Sequence, residues 1–228
     1  MKNSRLILKR VFLCSVIFSL IISVCSFGKE RKVLYAILTL KDSTVVKGYL
    51  RSSSLTDRDL SVKISPEIDG KSEKYKISNI EKMEIKSENG DSLRGVWRPM
   101  FVNNGVGRDK GYIAENPVML LSIYQGKNVD GYVGMIWCLV DPLSGYWKAL
   151  PCFYYQLPGM DYANCFLVMK GTFFYRRHKK SLMKEFADYP ALVNMLRNDT
   201  LQIKDILESP VIVIRELDKI ISASMAVE

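Results

Sequence analysis

The sequence predicts an α+β protein that is mainly β: a small five-stranded sheet, then an aromatic-rich antiparallel sheet, then short C-terminal helices. Three observations carry this. Between Val33 and Lys86 apolar residues recur with period two in short runs separated by polar turns. Residues 111–175 hold 14 of the 24 aromatics but only three basic and four acidic residues, in runs with strand-forming side chains. After Tyr175 the apolar spacing lengthens to three and four, the period of an amphipathic helix.

The chain opens with Lys2, Arg5, Lys9 and Arg10 and no acid, followed by apolar residues from Val11 to Val24. This is the layout of a secretory leader. Fourteen helical residues rise about 21 Å, short of the roughly 30 Å of hydrocarbon in a bilayer, so a permanent membrane span is the weaker reading. Cys25 follows Val24, whose branched side chain suits a lipoprotein processing site poorly, so lipidation of Cys25 is disfavoured against ordinary cleavage. Ser26 and Gly28 supply the small-x-small pattern; cleavage after Gly28 is expected, with Ser26 as the alternative. Residues 1–28 are thus assigned as a signal peptide and the mature chain as periplasmic or extracellular, without a transmembrane segment.

Loss of that leader leaves 200 residues, enough for a hydrophobic core, and lowers the formal charge from +9 to +5. The remaining cations are interspersed with acids. Together with export, that dispersion argues against nucleic acid as a partner.

Residues 29–90 form the first predicted unit. VLYAILTL and TVVKGYL flank the turn KDS; LSVKI places Leu60, Val62 and Ile64 inward; KYKI and EKMEI repeat the alternation. Gly48, inside a strand, marks a bulge or the sharp bend by which a small sheet closes. Five short strands with such a bend suggest an SH3-like or Sm-like barrel. LTLKDSTVVKGYL followed by LSVKI resembles the opening strands of Sm-like barrels over about 50 residues. The resemblance does not extend to RNA-binding residues: the loop TDRD lacks that family's aromatic and Asn, and Arg94–Gly95 falls beyond the last predicted strand.

Residues 91–110 are expected to be a Gly- and Asn-rich connection, with Trp97 and Phe101 embedded in an ordered surface excursion. The second sheet, 111–175, comprises VMLLSIY, YVGMIWCLV, CFLVMK and TFFY. Gly131, Gly134, Gly145, Gly159 and Gly171, with Pro142, Pro151 and Pro158, read as its turns or bulges. Residues 176–228 are assigned to helices packed on the sheet. Leu182, Met183 and Phe186 share a face; Pro190 opens a helix carrying Leu192, Val193 and Leu196; TLQIKDILES starts at a Thr cap. VIVIRELDKIIS supports strand through Val211–Ile214 and helix through Ile214, Leu217 and Ile221, and is assigned as helix. The hairpin KDSTVVKGYL together with FADYPAL before the terminal helices resembles a group of uncharacterised exported proteins of Bacteroidota. That resemblance implies export and architecture, and no activity.

Chemistry-bearing patterns are sparse. HExxH, GxSxG, a glycine-rich phosphate loop and paired-cysteine zinc spacing do not occur, which argues against zinc peptidases, serine hydrolases and nucleotide enzymes. The single histidine, His178, lies in the basic run 176–184. It could pair with a thiol from Cys138, Cys152 or Cys165, but a basic run opening a helix reads more readily as a solvated face. Cys152 and Cys165 could form a hairpin disulfide or remain buried thiols. Asp130, Asp141 and Asp161 sit in turn contexts that account for them without paired-carboxylate catalysis. Trp137, Tyr146, Trp147, Tyr154 and Tyr155 could stack on sugars or peptide side chains if exposed, or fill a core, which is the favoured reading.

The expected function is accordingly an exported, non-catalytic binding or assembly module of the cell envelope. An envelope protein, a glycan or an anionic surface is its expected partner. No catalytic, cofactor-binding or metal-ligating residue is assigned, and no cofactor. The alternative is a hydrolase using a cysteine or carboxylate of the sheet region.

Overall fold

The computed structural model describes residues 34–51, 55–87, 92–105, 113–141, 145–169 and 175–225, with side chains throughout except at 138–141 and 175–177. The leader, Cys25, Pro142, Gly171, most of TFFY and the Cys138 thiol lie outside that description.

Alternating burial builds the first strands: β1 (Leu34–Leu40), β2 (Val45–Leu50), β3 (Ser61–Ser65), β4 (Glu73–Lys76) and, after a 3-10 turn at Ile77–Asn79, β5 (Ile80–Lys86). They pair antiparallel in the order β5-β1-β2-β3-β4. Their inward residues Ala36, Leu38, Val62, Ile64, Ile80 and Met83 form one core. The KDS turn is closed by the Leu40 and Ser43 amides, and the Asp42 carboxylate accepts from the Thr44 amide at 2.9 Å. That bond holds the Asp42 carboxyl below its ordinary value. Leu60 departs from expectation: it is 60% exposed because β3 begins one residue later, and its carbonyl instead accepts from the Ile77 amide.

Residues 93–103, expected to connect two units, form an eleven-residue strand, β6 (Leu93–Asn103). Its first part pairs with β5 as far as Trp97, and its last part pairs with a different strand from Phe101 onward. Pro99, which has no amide hydrogen to donate, falls between these two partners. Gly95 lets Leu121 pack over the strand, where a Cβ would overlap it. Glycine and proline therefore mark close packing and a change of partner here, and neither marks a loop.

β7 (Val118–Gln125), β8 (Asp130–Asp141), β9 (Tyr146–Gln156) and β10 (Tyr162–Val168) continue antiparallel from β6, and β10 then pairs in parallel with β6 at Tyr162–Phe101, Ala163–Val102 and Asn164–Asn103. An odd number of meandering strands closing on itself must join its ends in parallel. The Asn103 side-chain amide donates to Asn164 Oδ1 at 3.0 Å where the ring closes. Val102, Leu120, Cys152, Tyr154, Ala163 and Cys165 fill the ring. Tyr132 also lies inside and donates to Gln156 at 3.2 Å; burial, followed by the charge of Asp130, pushes its phenol up to about 12. Gly131 and Gly134 are interior to β8 and admit Ile214 and Leu120, whereas Gly145 and Gly159, with φ of 66° and 80°, make turns as expected. Pro151 lies within β9.

Alternation sends Tyr155 on β9 and Phe166 on β10 to the outer face, and the register shift between Cys165 and Leu167 brings Leu167 to the same core, where four helices among the described residues cover them: α1 (Tyr175–Glu185), α2 (Pro190–Arg197), α3 (Ile203–Glu208) and α4 (Val211–Met225). Leu182, Phe186, Leu192, Leu196, Ile214 and Leu217 supply the helical side of this core. Tyr155 donates to Glu185 at 3.2 Å, and burial, then that carboxylate, drives its phenol upward. Pro190 occupies the first turn of α2 as expected. The Thr200 cap does not form. Helix α3 starts at Ile203, and the Thr200 amide and hydroxyl both bond Asn198 Oδ1, completing a turn through Asp199 at φ 59°.

Candidate functional site

β8 and β9 are longer than their neighbour. β7 pairs with β8 only from Asp130 to Val133, whereas the β8–β9 ladder runs on to Asp141–Tyr146. The outer half of β8 would therefore present an unpaired edge, which in sheets invites intermolecular pairing. A loop from the first sheet covers it. Thr56 bridges Met135 in parallel, the Asp57 amide donates to the Met135 carbonyl at 3.0 Å, and the Asp57 carboxylate accepts from the Trp137 amide at 2.9 Å.

The same loop is fixed internally. Asp59 Oδ2 accepts from the Thr56 amide at 2.8 Å and from its hydroxyl at 2.9 Å, while the Asp59 amide returns to the Thr56 carbonyl at 3.1 Å. Arg58 is thereby held over β8 and β9. Trp137 lies opposite Ala149, two residues from Trp147, so both indoles stand on one face of the hairpin. The Arg58 guanidinium carbon sits 5.2 Å from the Trp137 ring centroid and 5.0 Å from that of Trp147, within cation–π range of both. Trp137, Trp147 and Tyr146 are 36%, 47% and 56% exposed. Arg58 is exposed, and its guanidinium makes no hydrogen bond among the described residues. Two flat apolar faces flanking a cation with a fork of donors can stack on a sugar or planar group while pairing with a carboxylate.

The five aromatics named from sequence thus divide. Tyr154 and Tyr155 are core residues, the first donating to Asn104 at 3.1 Å, but the core-filling expectation fails for Trp137, Tyr146 and Trp147. It fails because their half of the hairpin extends past the packed ring. Arg58 carried no sequence signal for this site.

The thiol–imidazole pair does not assemble from Cys152 or Cys165. Both point into the ring, while α1, which bears His178, packs on the opposite face of β10 against Phe166. Cys165 is a free thiol 3.9 Å from the Leu167 carbonyl, and it lies opposite Tyr154 in register, so the Cys152–Cys165 disulfide is not formed. Asp130 begins β8, Asp161 is exposed ahead of β10, and the side chain of Asp141 is outside the described residues. Among the described residues, no three His, Cys, Asp or Glu side chains gather as metal ligands, and no helix is long and apolar enough to cross a membrane.

Comparison of the chain with family models, curated proteins and solved structures returned no match. The functional reading therefore rests on the geometry just described.

Proposed function

We propose that the protein is an exported, non-catalytic binding or assembly module of the cell envelope, whose ligand lies on the Trp137–Arg58–Trp147 platform. The observation that carries this is a cation clamped between two indoles that remain substantially open to solvent. Exposed aromatic side chains clustered in this way typically mark recognition surfaces. An acidic glycan matches both the flat faces and the guanidinium donors. The strand order β5-β1-β2-β3-β4 with its 3-10 turn supports reading the first unit as an SH3- or Sm-like barrel, here a scaffold that delivers Arg58.

The test is calorimetric titration with oligogalacturonate against a neutral oligosaccharide of equal length. Arg58→Ala and Trp147→Ala should each weaken acidic-oligomer binding about five- to thirtyfold, since losing one charge-assisted pair or one stacking face removes one to two kcal/mol. Neither side chain is buried, so thermal stability should stay within a few degrees. Indifference of both variants, or equal binding of the neutral oligomer, removes this reading.

Export has its own check. The mass of the protein recovered from fractionated cells should correspond to a chain beginning at Lys29 in the periplasmic or extracellular fraction. A cytosolic protein retaining Met1 would defeat the envelope assignment.

A further inference from the structure

A second surface, on the helical layer, pairs cations with apolar side chains in a way that solvation alone does not require. Helices α1 and α2 enclose a groove of about 560 Å³, within the range of small-molecule sites. Met183 and Val193 are half-buried in it, while Lys180, Lys184 and Arg197 are exposed at its rim. The groove contains no acidic lining residue. Of the acids on α1 and the turn after it, Glu185 accepts from Tyr155 on the core side, and Asp188 is outside the lining. Lys179 fixes one end, donating to Asp199 at 2.6 Å and to the Arg197 carbonyl at 3.3 Å, so the two helices are tied together beside the opening.

We propose that this groove binds a single-chain anionic amphiphile, with its tail against Met183 and Val193 and its acidic headgroup on Lys180 and Arg197. Charge complementarity selects the sign of the headgroup. Depth selects a tail over a flat membrane: Met183 and Val193 are half-buried while Lys180 and Arg197 are exposed, so a chain can reach side chains that a plane of lipid headgroups would not.

Calorimetric titration of the full protein with dodecyl phosphate, below its micelle concentration, is the test. Saturable one-to-one binding is expected, with dodecyltrimethylammonium and inorganic phosphate each at least tenfold weaker. The double variant Lys180→Glu, Arg197→Glu should weaken dodecyl phosphate at least tenfold through the headgroup. Ala187→Trp, at an exposed groove position, should do so by filling the tail site, and Trp147→Ala should leave it unchanged, separating this groove from the platform. Equal affinity for the cationic amphiphile, or binding that survives both groove variants, overturns the proposal. So does sedimentation with phosphatidylglycerol vesicles in the absence of monomer binding, which would make the surface a membrane contact.

Discussion

Replacing Asp218 by alanine is expected to lower the unfolding free energy by about 3 kcal/mol, a large share of a domain's usual margin. The residue is 8% exposed on α4 and receives four hydrogen bonds from the end of β7 and the β7–β8 turn: Tyr124 hydroxyl at 2.9 Å, Lys127 amide at 3.2 Å, Asn128 amide at 2.8 Å and Asn128 side-chain amide at 3.2 Å. Asn128 is itself buried and also donates to Ser222 at 2.7 Å, so the turn is latched to the helix at two points. Truncating the carboxylate would leave the Asn128 amide buried without its acceptor, the costly form of a lost hydrogen bond. Asparagine preserves the shape and one acceptor, so Asp218→Asn should lose roughly half as much.

The pH dependence separates this latch from simple packing. Burial opposes the charge on Asp218, but the donors from Asn128, Tyr124 and Lys127 outweigh it and hold the carboxyl below its ordinary value. A folded-state value below the unfolded one means the contribution is complete above the unfolded value, about 4, and disappears as pH falls through the folded one. Urea unfolding should therefore show a clear gap between the native protein and Asp218→Asn at pH 7 that narrows at pH 3. A gap independent of pH would show that the carboxylate charge contributes nothing to the latch.

Asp218 also illustrates which features the sequence could carry. ELDK reads as an exposed polar stretch, yet Asp218 is four residues after Ile214 and one after Leu217, on the border of the buried stripe. Its position was legible, but its partners, some 90 residues earlier in a hairpin turn, were not. The local periodicities were informative: β1 to β5, the helical assignment of VIVIRELDKIIS and the face Leu182–Phe186 all follow from spacing between near neighbours. β6 was hidden because its two halves face different partners, so no single face alternates cleanly. Ring closure was hidden because a parallel pairing of Asn103 with Asn164 leaves no turn between the strands to announce it. The platform was half legible. Trp137 and Trp147 could be named as candidates, but Arg58 reaches them from a loop of the first sheet, and only tertiary structure makes that approach.

Gly48→Ala should destabilise the first sheet by about 2 to 3 kcal/mol, a drop in melting temperature of roughly 4 to 12 °C for a protein of this size. The reason is steric and concerns backbone as well as side chain. A Cβ at Gly48 would overlap the Ser65 carbonyl oxygen, and would sit 2.8 Å from Ile64 Cγ2 and 2.9 Å from the Ser65 carbonyl carbon. Ile64 can yield only against a core in which it is 2% exposed. Ser65 is less able to yield, because it is fully buried and its hydroxyl donates to the Glu67 carbonyl at 2.6 Å in the turn leading to β4. Relief therefore requires β2 and β3 to separate near Tyr49–Ser65 and Leu50–Ile64, the two rungs that join them. Gly145→Ala is the matching control: its φ of 66° disfavours a side chain, but nothing lies within 4 Å of the added Cβ, so the cost is conformational alone, about 1 kcal/mol. A Gly48→Ala protein melting no lower than Gly145→Ala would mean that β2 and β3 do not approach this closely.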